Sequence, residues 1–324
     1  MFYRELGTSG IKVSAICAGC MSFGKPSEDF HLWTLDEKNT SDMVGKALDC
    51  GINFFDTANV YSHGTSEEYL GKALKNKIPR DQVVIATKVF FNEGHLSKKA
   101  IRREIEGSLR RLDTDYVDLY IIHRYDHQTP PLETMQTLHE LIKEGKVRAL
   151  GASAMYGYEF MNLQNLAKSH ELTPFVSMQN HYNLIYREDE RELIPVCKQF
   201  KVTLTPYSPL AGGHLSRPQW NSDSMRSRTD KTSRQKYDRA MAQDLPIIER
   251  VQEIAHEHAL PMATVALAWL LAKPWVSAPI VGATSQSHIE DACKATELNL
   301  TDEEKLFLEE LYTAHEVVGA LPAV

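Results

Sequence analysis

The sequence predicts an α/β protein with the fold of a (β/α)8 barrel, a closed ring of eight parallel strands surrounded by helices. Short apolar segments typical of strands alternate with helical patterns, and most successive strands lie roughly thirty residues apart. Alternation of this kind indicates parallel βαβ units, and eight such units can close into a barrel. The length of 324 residues is sufficient for one barrel, which commonly needs about 250 residues.

The barrel strands are predicted where short apolar runs are rich in β-branched and aromatic residues. They are residues 13–17, 52–56, 83–88, 116–123, 149–153, 175–180, 202–208 and 278–283. The helices that separate most of these strands have apolar positions three or four residues apart. They are residues 41–49, 66–76, 98–112, 132–144, 159–170, 187–200 and 264–272.

Further elements are predicted outside these repeating units. The turn Gly7-Thr8-Ser9-Gly10 indicates an N-terminal β-hairpin that covers the bottom of the barrel. Two additional helices are expected at residues 246–259 and at 301–312, the second with Thr301 as N-cap and Glu304 completing a capping box. An apolar tail, residues 317–324, follows. No linker divides the chain, so residues 1–324 are expected to form a single domain.

The stretch between strands 202–208 and 278–283 is longer than the others and has an irregular part, residues 212–244. Between Arg217 and Arg239 it carries seven Lys or Arg and three Asp, an excess of positive charge in an acidic protein. This stretch is either a solvated face or a loop that binds an anion on the active face of the barrel.

Composition excludes several classes of protein. The chain is 43% hydrophobic and 24% charged, with a formal net charge of −7, so general binding to nucleic acid or to an anionic membrane is not expected. Its longest apolar run is too short to span a bilayer, and the start of the chain does not resemble a signal peptide, which predicts a cytoplasmic protein. The five cysteines are expected to be reduced, and Cys17 and Cys20 to be buried rather than metal ligands. No metal is expected; a homo-oligomer is compatible with the sequence.

Polar residues at the carboxyl ends of the strands are the candidates for chemistry, because the reactive groups of such barrels stand there. Asp56, Lys88 and His123 end three consecutive strands, and Tyr61 follows Asp56 by five residues. Each is a weak signal alone, since a strand-end Lys or His can be structural. Together they converge on one mouth of the barrel.

These four residues can act together on a carbonyl group. A phenol with a pKa near 10 needs a neighbouring cation to stabilise the phenolate that it leaves after giving up its proton. Lys88 is the candidate cation and Asp56 the carboxylate that keeps it charged. A neutral His123 could then donate a hydrogen bond to the substrate carbonyl and hold it beside Tyr61.

Several segments resemble the aldo-keto reductases along essentially the whole chain and in the expected order. They are GINFFDTANVY at 51–61, IATK at 85–88, DYVDLYIIH at 115–123, GAS at 151–153, QNHYN at 179–183 and YSPL at 207–210. Three short segments look most like bacterial members related to the potassium-channel β-subunit. They are the pair 123–124, the run 182–184 and the tail 317–319. The resemblance implies NADPH-dependent carbonyl reduction, with Asp56, Tyr61, Lys88 and His123 as the catalytic tetrad.

The same resemblance implies the cofactor-binding residues. Tyr207 would stack on the nicotinamide, and Ser153 and Gln179 would hydrogen-bond its carboxamide. The pyrophosphate would lie against Ser208, Leu210 and Gly212, and the adenosine against Gly282, Thr284, His288 and Asp291.

The basic residue that many relatives use for the 2′-phosphate is missing near Thr284. The phosphate contact would therefore come from Arg217 and Arg228, so NADPH is expected, with NADH as the other cofactor that this pattern allows. No GxGxxG motif follows a strand, which argues against a Rossmann domain.

Two other functions compete with carbonyl reduction. Lys88 could be the Schiff-base lysine of an aldolase, although a carboxylate partner would raise its pKa and disfavour that chemistry. The barrel could instead bind NADPH and regulate a partner while turning over slowly.

The substrate, a small carbonyl compound, is expected to contact walls formed by Trp33, Phe90, Arg124, Tyr125 and Tyr182. Arg124 either binds an anionic group of the substrate or forms an ion pair with Asp126 in its own loop.

Overall fold

The strands of the protein form a barrel in its computed structural model, which describes residues 1–75, 77–222, 229 and 235–313. Eight parallel strands are hydrogen-bonded in the order β10-β3-β4-β5-β6-β7-β8-β9, which is the order of the chain except that the last strand returns to the first. They are β3 (Cys17–Gly19), β4 (Phe54–Asp56), β5 (Val84–Val89), β6 (Val117–Ile122), β7 (Val147–Ser153), β8 (Phe175–Gln179), β9 (Thr203–Leu204) and β10 (Ile280–Gly282).

Backbone hydrogen bonds between β9 and the segment before β10 close the ring. The Leu204 amide donates to the Trp275 carbonyl at 2.8 Å, the Ser277 amide donates to the Leu204 carbonyl at 2.9 Å, and the Ile280 amide donates to the Pro206 carbonyl at 2.9 Å. The predicted (β/α)8 barrel is therefore confirmed.

The helices lie outside the ring and pack on it through their apolar faces. In the described part of the chain they are α1 (Glu37–Asp49), α2 (Thr65–Lys75), α3 (Lys98–Leu112), α4 (Pro131–Lys143), α5 (Gly157–Ser169), α6 (Leu193–Gln199), α7 (Met241–Glu257), α8 (Met262–Leu271), α9 (Gln286–Lys294) and α10 (Asp302–Glu309). Thr301 caps α10, and its capping box with Glu304 forms as predicted. The Asp36 side chain accepts a hydrogen bond from the Asn39 amide at the start of α1.

An N-terminal hairpin covers the end of the barrel opposite to the strand ends that carry the site. Its strands β1 (Tyr3–Glu5) and β2 (Lys12–Ser14) pair antiparallel, as predicted from the glycine-bounded turn between them. Leu6 is fully buried among the side chains that fill the lower interior of the barrel, including Phe54 and Leu119. The hairpin therefore plugs the bottom of the barrel with an apolar side chain.

Several predicted boundaries were wrong, for local reasons. The predicted strand 13–17 is divided, because Lys12–Ser14 pairs in the hairpin and only Cys17 begins the barrel strand. The predicted helix 187–200 begins at Leu193, since Pro195 lacks an amide hydrogen and fits only in a first helical turn. Strand 202–208 is reduced to Thr203–Leu204, and helix 286–294 was not predicted.

No single helix within the described ranges is long and apolar enough to cross a membrane. One pair of helices joined by a sharp bend, Gln235–Glu257 and Met262–Leu271, reaches the length and apolar composition of a membrane span when the two are taken together. The apolar tail 317–324 and its run 317–319 lie outside the described residues.

Candidate active site

The carboxyl ends of five neighbouring strands place the predicted polar residues around one opening. Asp56 ends β4, Lys88 lies next to the end of β5, and His123 follows β6 directly. Ser153 and Gln179 end β7 and β8 and pair with each other across these strands. The parallel register therefore brings residues from five separate segments to the same rim of the barrel.

Lys88 is the centre of a buried hydrogen-bonded group at this rim. Its Nζ donates to Asp56 Oδ1 at 2.6 Å, to the Thr57 carbonyl oxygen at 2.7 Å and to the Tyr61 hydroxyl oxygen at 3.1 Å. The Lys88 and Asp56 side chains are only 0% and 3% exposed, so the pair is shielded from water. The second oxygen of Asp56 accepts a hydrogen bond from Gln179 Nε2 at 2.8 Å. All three donor positions of the ammonium group are thus used.

Tyr61 reaches Lys88 because the chain turns sharply after β4. Ser62 and His63 have φ values of 46° and 55°, in the left-handed region that non-glycine residues seldom adopt. The Ser62 hydroxyl donates to the Phe23 carbonyl at 3.2 Å, and a hydroxyl pair, Thr57 with Ser66 at 3.0 Å, ties the loop to the start of α2. These contacts hold a strained turn in one position, with Tyr61 at its start.

The surroundings set the charge of each reacting group. Burial raises the pKa of Tyr61 although Lys88 opposes this, so the phenol carries its proton at neutral pH. Burial is the largest influence on the pKa of Lys88 and would lower it, but the charge of Asp56, the interaction with Tyr61 and the hydrogen bonds to both together outweigh it, so the pKa lies above its ordinary value. Burial, followed by the charges of Lys88 and Arg124, lowers the pKa of His123 well below 6.5, so its imidazole is neutral.

Aromatic rings border the opening next to Tyr61 and His123. The ring centroids of Tyr61 and His123 are 6.0 Å apart at 78°, and Phe30 lies 6.2 Å from Tyr61. Phe91 meets the His123 ring edge-on at 5.0 Å and is 47% exposed. Phe30 and Phe91, which the sequence did not single out, thus form the aromatic wall of the site.

The predicted wall residues are distributed differently. Trp33 is buried and stacks on His31 at 4.5 Å, and Tyr125 is half-buried beside His127, at 5.0 Å. Phe90 was predicted to line the substrate site, but it points into the core and stacks on His95. The next residue in the chain, Phe91, faces the site instead.

Tyr182 was also predicted to line the substrate site, and the structure places it elsewhere. It is fully buried, packs on Trp269 at 5.4 Å and donates its hydroxyl to Glu190 at 2.5 Å, so it has no surface left for a substrate. Arg124 lies at the rim, where its guanidinium carbon is 5.6 Å from the Phe91 ring.

The predicted nicotinamide residues adjoin the buried group. Ser153 is 1% exposed and Tyr207 is half-buried. Among the residues that the structure describes, neither the Ser153 Oγ nor the Tyr207 hydroxyl has a hydrogen-bond partner. The Tyr207 ring is stacked beside His181 at 5.4 Å and 8°, and burial raises its pKa to about 12. Lys236 Nζ lies 4.7 Å from the centre of the same ring.

The predicted pyrophosphate loop is a short irregular turn after β9. Ser208, Ala211, Gly212 and Gly213 have positive φ values, and the Asn183 amide holds the Ser208 carbonyl at 2.9 Å. Leu210 lies within this turn and packs against the core. Arg217 donates to the carbonyl oxygens of Gly213 and Trp220 at 2.9 and 3.3 Å, so its guanidinium braces this loop. Arg228 lies outside the described residues.

The predicted adenosine residues form an exposed edge at the end of β10. Gly282, Thr284 and His288 are exposed, and a side chain added at Gly282 would meet no atom within 4 Å. Asp291 is half-buried and pairs with Lys294 at 2.9 Å. Among the described residues no group of three or more His, Cys, Asp or Glu side chains could hold a metal ion.

Comparisons with known proteins agree with this architecture. Residues 15–312 match the family model described as the aldo/keto reductase family. The chain is 41% identical to aldo-keto reductase AMT2 of Alternaria alternata, with 98% of this chain and 93% of that protein covered. It is also 41% identical to versiconal hemiacetal acetate reductase of Aspergillus parasiticus, with 96% and 97% covered. The crystal structure of the thermostable aldo-keto reductase Tm1743 with the inhibitor epalrestat has a TM-score of 0.78 at 31% identity, covering 96% of this chain and 100% of that one.

The fold, the site and these relatives define a barrel oxidoreductase, and the chain belongs to the aldo/keto reductase family. The predicted resemblance to that family is therefore confirmed. The relatives named here by organism are fungal, and the comparisons give no support to the predicted bacterial group related to the potassium-channel β-subunit.

Proposed function

We propose that this protein reduces aldehyde or ketone carbonyls to alcohols with NADPH, with Tyr61 as the proton donor. The observation that carries this proposal is the buried Lys88 ammonium group, which contacts both Asp56 and the Tyr61 hydroxyl, at 2.6 and 3.1 Å. A relative named as a reductase of a hemiacetal acetate supports the direction of the reaction.

The residues that would hold the cofactor fit a nicotinamide dinucleotide. Ser153 Oγ is a buried polar atom at the rim with no hydrogen-bond partner in the described part of the chain, which suits hydrogen bonding to a carboxamide. Tyr207 offers an aromatic ring, and the open edge at Gly282 leaves room for an adenosine moiety. When bound, the cofactor supplies a hydride to the carbonyl carbon. NADPH is proposed ahead of NADH because of the positive charge between Arg217 and Arg239.

The chain's own residues supply the proton and the orientation. Tyr61 holds its proton at neutral pH, and the adjacent Lys88 stabilises the phenolate that remains once the proton has moved to the substrate oxygen. Asp56 keeps Lys88 ionised. A neutral His123 orients the carbonyl beside the phenol, while Phe30 and Phe91 form apolar walls next to these two groups.

The same geometry disfavours a Schiff-base aldolase. A Schiff-base lysine attacks as a neutral amine, whereas the charge of Asp56 raises the pKa of Lys88 and all three of its donor positions are in use. Trapping with borohydride in the presence of a carbonyl substrate should therefore leave Lys88 unmodified.

The test is a screen of NADPH oxidation against aldehydes, ketones, dicarbonyls and sugar-like carbonyls. We expect turnover of at least one class, and loss of that turnover in Lys88→Met. A barrel that binds NADPH tightly but oxidises it slowly with every carbonyl would favour the regulatory alternative.

A single-domain enzyme of the cytoplasm is proposed from the sequence. Its oligomeric state can be measured by light scattering in the same preparation.

A further inference from the structure

Arg124 lies at the mouth of the barrel, between the reacting groups and solvent. Its half-buried side chain follows His123, and its Nη1 donates to the His123 carbonyl oxygen at 2.8 Å. Its guanidinium carbon lies 5.6 Å from the centre of the Phe91 ring, which packs on the His123 imidazole at 5.0 Å. The guanidinium group thus forms part of the rim of the aromatic wall.

The acidic residue nearest in sequence does not neutralise Arg124. Asp126 accepts hydrogen bonds from the Leu96 amide at 3.0 Å, the Gln128 amide at 2.9 Å and the Thr129 hydroxyl at 2.6 Å. Both Asp126 oxygens are therefore occupied in ordering the loop. The ion pair between Arg124 and Asp126, which was one of the two sequence-based alternatives, does not form.

Two other partly buried arginines of this protein do have carboxylate partners. Arg80 pairs with Asp118 at 2.7 Å, and Arg111 pairs with Glu67 at 2.7 Å. Within the described ranges no carboxylate lies at ion-pair distance from Arg124, and its Nε and Nη2 donate no hydrogen bond there. These two nitrogens form an edge of the guanidinium that can hold a carboxylate by two parallel hydrogen bonds.

We propose that Arg124 binds a carboxylate of the substrate, so that the preferred carbonyl compounds carry an anionic group remote from the reacting carbonyl. This inference rests on the proposed function, because it assigns a substrate class to the same site. The part of the substrate between its two polar ends would pack on Phe91 and Phe30, which favours an aromatic or apolar spacer.

The test compares two substrates that differ only in charge, 4-carboxybenzaldehyde and its methyl ester, in steady-state oxidation of NADPH. In Arg124→Met we expect the KM for the acid to rise about tenfold or more, equivalent to about 1.4 kcal/mol, and the KM for the ester to change less than about twofold. Arg124→Lys should give an intermediate KM for the acid, because a lysine keeps the charge but not the paired donors. Arg110→Met, at an exposed position of α3, is the matched control and should change neither KM.

Binding of benzoate, measured by calorimetry, gives a readout that does not depend on turnover. We expect benzoate to bind about tenfold more weakly to Arg124→Met than to the wild type. Equal changes for acid and ester, together with benzoate binding that Arg124 does not affect, would overturn the inference. Absence of turnover with every carbonyl, while benzoate binding still depends on Arg124, would overturn the proposed function and leave the anion site standing.

Discussion

Replacing Lys88 by methionine removes the cation from the most deeply buried ion pair of the site while keeping a side chain of similar length. Asp56 would then be a carboxylate that is almost fully buried and has lost its charged partner. Breaking a buried pair in this way typically costs about 3–5 kcal/mol, because the remaining charge stays desolvated. The hydrogen bond from Gln179 to Asp56 is retained, which favours a loss near the lower end of that range.

The assay is urea unfolding followed by circular dichroism, with the free energy of unfolding compared between variants. Lys98→Met is the matched control, because the Lys98–Glu140 pair at 2.9 Å is exposed and should contribute less than about 1 kcal/mol. The double variant Asp56→Asn/Lys88→Met should recover most of the stability, since neither charge remains buried, but not the activity. A Lys88→Met protein as stable as the Lys98→Met protein would refute the reasoning.

Three further predictions concern the hairpin, the pH dependence and the cofactor loop. Gly7→Ala should lower the free energy of unfolding by about 1–3 kcal/mol more than Gly10→Ala. Both positions have positive φ, but only at Gly7 would the new Cβ lie 2.2 Å from a backbone oxygen, that of Val176. Equal losses in urea unfolding would contradict this. Because the pKa of His123 is lowered and its neutral form is needed, the acid limb of kcat/KM for reduction should lie below pH 6.5, and an acid limb centred above that value would contradict the assignment. Arg217→Ala should weaken NADPH and NADH to a similar extent in fluorescence titrations, since its guanidinium braces its own loop, whereas a loss confined to NADPH would indicate direct contact with the 2′-phosphate.

The barrel and the positions of its polar strand ends could be predicted because they depend on local patterns. Alternating apolar segments define strands and helices, and parallel pairing then brings the carboxyl ends of neighbouring strands together. Asp56, Lys88 and His123 could therefore be assigned to one rim before any distance was known. Tyr61 followed from its place in the loop after Asp56, although the strained turn that positions it is not visible in the sequence.

The walls of the site could not be predicted in the same way, since they depend on how loops pack. Of two adjacent phenylalanines, the direction of the backbone turns Phe90 into the core and Phe91 toward His123. Asp126 lies two residues from Arg124, yet it is occupied by groups that include the Leu96 amide, thirty residues away in sequence. The direction of a loop side chain and the partner of a loop carboxylate are both decided by tertiary contacts, which leave no periodic pattern in the sequence.

Tyr61→Phe tests most directly whether Tyr61 delivers the proton. The substitution removes only the hydroxyl that lies 3.1 Å from Lys88 Nζ. In single-turnover oxidation of NADPH by an aldehyde, we expect the rate to fall by about 10²- to 10⁴-fold, with NADPH binding unchanged in a fluorescence titration. A variant that binds NADPH normally and reduces the aldehyde at nearly the wild-type rate would contradict the assignment of Tyr61 as the proton donor.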